Sequence, residues 1–387
     1  IAGSSARNSD EEWNEYPPCP KAPHAGASKF QGYFTPRKKG IKNEEISDWH
    51  TVDFCIKQMN TKRNKPLFLA CGLNKPHLPW DVPDEYHAMF PLKDIKLPPY
   101  LKNDLDDVPP IGRKLGHPGD HPKMVKTGMW KTAIQSYLAT VAYCDMNVGR
   151  LLDALEKSPH AGNTIIVLWG DHGWHLGEKD YWRKFTLWEE ATRAPLIWVA
   201  PGAAKADVIC ARPVDFMTIY PTLCDLAGIK TPKHVEGKSI RALLENPDAK
   251  YDGVALTTEG HSNHAVRNDR WRYIRYRDGS EELYDHDNDP YEHTNLASKS
   301  EFASVKKRLA KHMPKNDVKV GSAPLNPDWK KSVKSVKKKK NNADKPDEKK
   351  SGEKKSKTGA KQGEKKTGEK KSKKGGKKKN PAKAGEK

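Results

Sequence analysis

Two short apolar runs constrain this chain more than any other feature. Asn163-Thr164-Ile165-Ile166-Val167-Leu168-Trp169-Gly170 and Pro195-Leu196-Ile197-Trp198-Val199-Ala200 are of strand length, rich in β-branched and aromatic side chains, and lack a polar alternation. Runs of this kind fit strands covered on both faces, as in the centre of a sheet sandwiched between helices. Ahead of the first, residues 131–157 set Ile134, Leu138, Val141, Val148, Leu152 and Leu155 on one face of a long predicted helix. Asp145 falls on its buried side, where a structural hydrogen bond or cap suits it better than catalysis. An earlier pair repeats the order. Trp49, Val52, Phe54, Cys55, Ile56 and Met59 predict a helix over 48–60, and Lys65-Pro66-Leu67-Phe68-Leu69-Ala70-Cys71-Gly72 a short buried strand. Helix and strand alternate, so the expected class is α/β, a mostly parallel sheet with helices on both sides.

Beyond Ala200 the pattern changes. Residues 215–227 read as a helix closed by Gly228, with Pro221 kinking it or starting its second part. Strand-like stretches at 254–256, 271–276 and 282–284 precede a helix with Phe302, Val305, Leu309 and Met313 in a stripe, which predicts a small C-terminal α+β subdomain. The division expected is 1–228 for the α/β part, 229–315 for the subdomain and 316–387 for a Lys-rich low-complexity tail.

Charge separates the tail from the rest. From Lys330 to Lys387 there are 25 Lys, no Arg and 7 acidic residues, which leaves 45 basic and 43 acidic residues in the first 329. From Lys330 onward there is no aromatic residue and Gly-Glu-Lys-Lys repeats at Gly352, Gly363 and Gly368, so this stretch cannot bury enough apolar surface to fold and is expected to be disordered. It implies a salt-screened attraction to polyanions, a weak contact. Without Arg or aromatic side chains it lacks the groups that read nucleic-acid sequence. No apolar stretch approaches the roughly 18 residues needed to span a bilayer, so no transmembrane segment is expected. The opening Ile1-Ala2-Gly3-Ser4-Ser5-Ala6-Arg7 has no charged segment followed by an apolar one, so no signal peptide is visible. Six Cys without a Cys-x-x-Cys pair argue against structural zinc or an iron–sulfur cluster.

Ligands of open α/β sheets bind beyond the carboxyl ends of the strands. Two strand ends here carry polar clusters: Asn74-Lys75-Pro76-His77, and Asp171-His172-Gly173-Trp174-His175-Leu176-Gly177-Glu178. An Asp and a His at the exit of a buried strand can give a carboxylate oxygen and an imidazole nitrogen to a divalent cation. Capping of the following turn is the alternative for that pair. Trp182-Arg183-Lys184 offers fixed positive charge for a tetrahedral anion, and would otherwise be a solvated basic patch. Asp106-Asp107 lies in a Pro-rich loop and is given no catalytic role.

Taken together, Gly72-Leu73-Asn74-Lys75-Pro76-His77-Leu78-Pro79-Trp80, the helix segment from Ser136 to Leu152, Asp171-His172-Gly173-Trp174 with Leu176-Gly177-Glu178 and Lys184, and Glu282-Leu283-Tyr284-Asp285 with Asp289-Pro290 resemble the sulfatase family of the alkaline phosphatase superfamily. The resemblance covers residues 13–313. It implies an arylsulfatase-like α/β fold, a bound Ca²⁺, and a Cys-derived formylglycine nucleophile acting on the sulfate ester of a uronate-containing or other sulfated polysaccharide. Residue by residue, it makes Asp171 and His172 metal ligands. His77 becomes the histidine that contacts the sulfate and helps protonate the leaving oxygen, and Lys184 a sulfate-binding lysine. Trp174, with Lys75 and Arg183, would line the substrate pocket. His175 and Phe185 depart from the family pattern, where a small residue and a Tyr are often seen.

None of the six cysteines fits the family's Cys-x-Pro-Ser-Arg, and the early acidic pair of the calcium site is not found. The resemblance therefore implies that both lie N-terminal to Ile1, that the chain is a fragment, and that alone it is catalytically incomplete. The alternatives are a phosphodiesterase or phosphatase of the same superfamily, with Thr or Ser as nucleophile, and a non-catalytic polyanion-binding remnant. An extracytoplasmic location, periplasmic or secreted, is expected from the family.

Overall fold

The computed structural model describes residues 13–15, 30–36, 39–315 and 317. The chain divides into two units after residue 323, and every described residue lies in the first. The expected disordered tail thus falls outside the described residues, except for Asp317.

Nine helices among the described residues are used below: α1 (Gln31–Phe34), α2 (Ser47–Met59), α3 (Asp84–Ala88), α4 (Asp120–Lys126), α5 (Trp130–Glu156), α6 (Glu189–Thr192), α7 (Ile219–Leu226), α8 (Arg241–Glu245) and α9 (Ala303–Ala310). None is long and apolar enough to cross a membrane.

The two apolar runs form β1 (Ile166–Trp169) and β4 (Leu196–Val199), which lie side by side with Ile166 opposite Val199 and Trp169 opposite Leu196. They run antiparallel, against the parallel order expected for them, and every strand pair among the described residues is antiparallel. The cause is the connection. Between β1 and β4 the chain makes a small ribbon, β2 (His175–Leu176) with β3 (Trp182–Arg183), and only the single turn of α6, whereas a parallel return needs a crossover usually built on a longer helix. The pair is also less covered than expected. Trp169, Ile197 and Val199 are exposed while Leu196 and Trp198 are half-buried, an alternation that packs one face only among the described residues.

Two further expectations are corrected. The segment 66–72 forms no strand and pairs with none among the described residues; Leu67 and Leu69 are half-buried and Phe68 is 73% exposed, so it packs by one side instead of lying inside a sheet. Helix α5 matches its predicted span but not its face. Its buried residues are Ala133, Ile134, Ser136, Ala139, Thr140, Tyr143 and Asn147, whereas Val141 and Leu152 are exposed, and so is Asp145. Small side chains let α5 approach its neighbours closely, and an apolar stripe chosen by size alone points the helix the wrong way.

What positions the site is an aromatic core. Phe34 meets Trp80 and Trp182 edge-on, at ring-centroid distances of 5.3 and 5.5 Å, with Met124, Met129, Ala133 and Ile134 packed around them. Such aromatic pairs contribute about 0.5–1.5 kcal/mol each beyond area burial. Trp80 ends the 74–80 loop and Trp182 lies in β3, so this packing fixes the loop and the ribbon to each other.

The C-terminal part is a four-stranded meander, β5 (Ala255–Thr258), β6 (His264–Arg267), β7 (Trp271–Arg275) and β8 (Glu281–Asp285), backed by α9 through Val266, Tyr273, Leu283, Leu309 and Met313. This is the expected α+β subdomain with one strand more than the sequence suggested. Helix α7 begins after a 3₁₀ turn at Phe216–Thr218, with Pro221 in its first turn, and ends at Gly228, whose φ of +67° closes a Schellman motif through Gly228 N–H to Asp225 O and Ile229 N–H to Cys224 O. Polar ties join the C-terminal part to the rest: the Lys179 Nζ, itself paired with Asp104, donates to Glu292 O, Trp188 Nε1 to Glu282 Oε2 at 2.7 Å, and the Asn295 N–H to Asp107 Oδ2 at 2.7 Å.

Candidate active site

Three segments meet at one place: the 74–80 loop, the turn after β1, and the residue after β3. The first brings His77 edge-on to Trp174, ring centroids 5.8 Å apart. The second places the His172 ring 6.1 Å from Trp174. From the third, the Lys184 Nζ reaches His172 Nε2 at 2.9 Å. Of the residues expected from sequence, the fold therefore brings together His77, Asp171, His172, Trp174 and Lys184.

Hydrogen bonds fix the tautomers. His77 Nδ1 lies 2.8 Å from Leu78 O and His172 Nδ1 2.8 Å from Gly173 O. A carbonyl only accepts, so each Nδ1 carries the proton and each Nε2 presents a lone pair. That lone pair on His172 accepts from Lys184. It also lies 3.4 Å from Asp171 Oδ1, with no proton of its own to give that carboxylate. Solvent reaches one side of His77, yet the side chains around it desolvate the ring enough to lower its pKa; Lys184 and His172 push the same way and Asp171 opposes them. Lys184 is lowered by partial burial, against the attraction of Asp171. A tetrahedral anion entering here would meet the Lys184 ammonium and the open Nε2 of His77, and its charge would raise both pKa values, so that His77 takes up a proton at Nε2 when the anion is bound.

The backbone holds these groups in place. A Cβ on Gly173 would lie 2.1 Å from Glu190 O and 2.4 Å from Arg193 O, so the turn packs backbone to backbone against α6, where Gly173 N–H donates to Ala191 O at 2.9 Å. Lys184 sits between Arg183 and Phe185, both left-handed at φ +69° and +75°. Non-glycine residues hold that conformation only where surrounding contacts determine it. Here the Arg183 guanidinium pairs with Asp120 at 2.7 Å and covers the Phe34 ring at 5.1 Å.

Two expected substrate-binding residues are thus placed otherwise. Arg183 is engaged with Asp120. Lys75 is buried, and its ammonium donates to Pro79 O, tying the loop closed on itself. His175, one of the departures from the family pattern, does not face the site: it is fully buried, bonded to Thr186 Oγ1 at 2.7 Å and pushed down to about 3 by burial.

Three supporting residues were given no role from the sequence. Asp48, at the start of α2, accepts the Asn74 and Lys75 N–H groups at 3.0 and 2.8 Å and so sets the turn before His77. Tyr137 of α5 stacks on Trp174 at 6.4 Å and 18°. Glu178 accepts the Leu176 N–H at 2.6 Å, and burial pushes its carboxyl up to about 7. Tyr137 and Glu178 stand in the motifs quoted from the sequence, whereas nothing there pointed to Asp48.

The chemistry of the donor set bears on a metal. Asp171 is an exposed carboxylate, 85% accessible, and suits a hard cation. His172 Nε2 is taken by Lys184, and Ca²⁺ needs six to eight oxygen ligands. The described residues do not complete such a sphere. A second group, Glu189, His286 and Glu292, brings three ligand-type atoms within 4.8 Å of one another. The Arg272 guanidinium already lies between the two carboxylates, bonded to both, and donates to Leu187 O at 3.2 Å. Burial works to raise Glu292, but Arg272 and His286 overcome it and hold it at about 2. This is an ion-pair network with its cation supplied by the protein.

An α/β fold with Lys184, His77 and Asp171 gathered at the exit of a strand is of the alkaline-phosphatase-like class. Residues 4–229 match the family model described as Sulfatase, and residues 177–319 the one described as N-sulphoglucosamine sulphohydrolase, C-terminal. The chain belongs to the sulfatase family. It is 42% identical over 278 residues to a sulfatase of Formosa agariphila, covering 70% of this chain and 54% of that one. It is 30% identical over 220 residues to iduronate 2-sulfatase of Homo sapiens, covering 46% and 38%. A solved structure of a protein in complex with its substrate D-glucosamine-2-N,6-O-disulfate shares the fold, with a TM-score of 0.55 and 23% identity over 71% of this chain and 69% of that one. The chain spans about half the length, or less, of these curated relatives.

Proposed function

We propose that this chain carries the sulfate-binding side of a sulfuric ester hydrolase acting on a sulfated sugar, with iduronate 2-sulfatase as the model for its substrate. The observation that carries this is the meeting of Lys184, His172 and His77 beside the exposed Asp171, around a Trp174 whose buried Nε1 has no hydrogen-bond partner among the described residues. A buried donor without a partner costs roughly 1–3 kcal/mol, which a sugar hydroxyl or sulfate oxygen would relieve. In this scheme Lys184 binds and neutralises the sulfate, His77 Nε2 holds a proton for the leaving sugar oxygen, and Trp174 positions the ring. Asp171 would contribute to the Ca²⁺ that sulfatases use, a charge that would polarise the ester, and the formylglycine of the family belongs to the same proposal. A periplasmic or secreted location belongs to the same proposal, as does a division into an α/β catalytic part over 1–228 and a C-terminal subdomain over 229–315.

The test is equilibrium binding of 2-O-sulfated iduronate and of 6-O-sulfated N-acetylglucosamine to the full chain, by calorimetry. Lys184→Met and His77→Ala should each weaken the better ligand at least tenfold with the far-UV spectrum unchanged. Affinity for both ligands unaltered in both variants would overturn the site. Preference for the glucosamine sulfate would overturn the iduronate assignment alone.

A further inference from the structure

Beside the candidate site lies a cleft that the sulfatase reading leaves unused. It encloses about 570 Å³, within the range of small-molecule sites, and is lined by Tyr100, Leu105, Pro118, Val125, Lys126 and Asp180 among others. Its wall is aromatic. The Tyr100 ring stacks on His121 at 5.7 Å and 25°, meets Trp130 nearly at a right angle at 5.5 Å, and still keeps 45% of its surface open. His121 is buried and fixed in turn: its Nδ1 accepts from Trp182 Nε1 at 3.2 Å, so the ring proton stands on Nε2, 3.4 Å from Asp180 Oδ1. Asp180 and Lys179 are consecutive left-handed residues, at φ +57° and +51°, in the turn between β2 and β3, a strained pair anchored by the Lys179–Asp104 ion pair. The buried Asp180 Oδ1 has no hydrogen bond among the described residues, and the side chain is 30% accessible, so Oδ2 is the oxygen that solvent reaches.

An open aromatic ring beside a carboxylate suits a sugar: the ring receives the apolar face of a pyranose, and the carboxylate accepts its hydroxyl protons. The same charge repels sulfate, so a sugar held here is unsulfated on the edge that faces Asp180. The cleft also lies close to the sulfate-binding lysine. Asp180 precedes Lys184 by four residues, so their Cα atoms are no more than about 14 Å apart, a distance that a short oligosaccharide spans. Between them the surface is aromatic: the Lys184 ammonium lies over the Phe185 ring at 5.5 Å, the exposed Phe185 meets the half-buried His117 at 6.0 Å, and His117 adjoins Pro118 of the cleft. We infer that this cleft is a subsite for an unsulfated pyranose unit, within reach of the sulfated unit held at Lys184, so that the protein takes an oligosaccharide in preference to a single sugar. The inference rests on the sulfated-sugar reading for what occupies Lys184, while the cleft is tested by itself.

The experiment is calorimetry on the full chain with cellotetraose, N-acetylated chitotetraose and neoagarotetraose, which carry no charge to draw them to the Lys-rich tail, and with 6-O-sulfated N-acetylglucosamine. At least one neutral tetrasaccharide should bind, and Tyr100→Ala should weaken it at least tenfold. Asp180→Asn, which a left-handed backbone tolerates, should weaken it about fivefold because a neutral acceptor replaces a charged one. Both variants should bind the sulfated monosaccharide as the wild type does, and Lys184→Met should show the reverse pattern. Binding of none of the three tetrasaccharides, or unchanged affinity in a folded Asp180→Asn, would overturn the cleft and leave the sulfate site standing. Loss of the sulfated monosaccharide in Asp180→Asn would also overturn it, because the two sites would then be one. Unchanged affinity for the sulfated monosaccharide in Lys184→Met would overturn the sulfate site and leave the cleft standing.

Discussion

Replacing Glu178 by Gln isolates one buried ionisation beneath the candidate site. Burial is the first cause of its raised carboxyl, with Glu190 adding repulsion and the Leu176 N–H partly offsetting both. A carboxyl raised in the folded state stabilises the fold most below its unfolded pKa, and that contribution is lost as pH rises through the folded value. With 4.5 unfolded and about 7 folded, the contribution falls by about 2.5 kcal/mol between pH 5 and pH 8. Gln keeps the side-chain volume and an acceptor for Leu176 N–H but does not titrate. The stability of Glu178→Gln relative to wild type should therefore rise by about 2.5 kcal/mol over that interval. The assay is urea unfolding of both proteins at pH 5, 6, 7 and 8, where titrations common to both cancel in the difference. At a slope of about 2–3 kcal/mol per molar urea, the gap between midpoints moves by about 1 M. A gap constant to about 0.2 M would refute the reasoning, because Glu178 would then be ionised in the fold throughout the range.

Two further outcomes follow from contacts described above. Gly173→Ala places a methyl against two carbonyl oxygens of the α6 backbone and should cost about 1–3 kcal/mol in urea unfolding, with weaker binding of inorganic sulfate because the turn carrying Asp171 and His172 must move; wild-type stability and affinity together would argue against the backbone packing. Arg272→Met leaves Glu189 and Glu292 without their cation and should cost about 3–5 kcal/mol at pH 7. Glu292 is depressed in the fold, so its contribution is present above the unfolded value and lost as pH falls through about 2; the penalty of the substitution should shrink between pH 7 and pH 3, and a penalty independent of pH would sink the charge argument.

The elements themselves were largely legible from periodicity. Helices α2, α5, α7 and α9 and strands β1, β4, β7 and β8 lie where the residue pattern puts them, because each carries a run long enough to show its period. Strand β6 was not, since His264-Ala265-Val266-Arg267 is short, with a charged residue at its end, and owes its place to pairing with β5 and β7. The α5 face was misjudged because, beside Ile134 and Tyr143, its buried residues are Ala, Ser, Thr and Asn, which a search for large apolar side chains passes over. The same limit applies to the site. His77, Asp171, His172, Trp174 and Lys184 stand in compact motifs and are found together, whereas Lys75 and Arg183, neighbours in those motifs, turn to Pro79 and Asp120 for reasons that lie in the backbone and in a distant acid. Asp48 supports the loop across a sequence gap that no local pattern spans.

The meander has the outline of a separable module, but its charges say otherwise to anyone choosing where to cut a gene. Glu282 is buried and bonded to Trp188, and Glu292 holds the N–H of Glu189, while Lys179 reaches Asp104 on one side and the carbonyl of Glu292 on the other. An expression clone opening at residue 229 would discard Trp188, Glu189, Lys179 and Asp104 and keep two carboxylates built to be shielded by them. Such a truncation inherits the hydrogen-bond debts of the whole protein, so mutations intended to dissect the C-terminal part are better made in the intact chain.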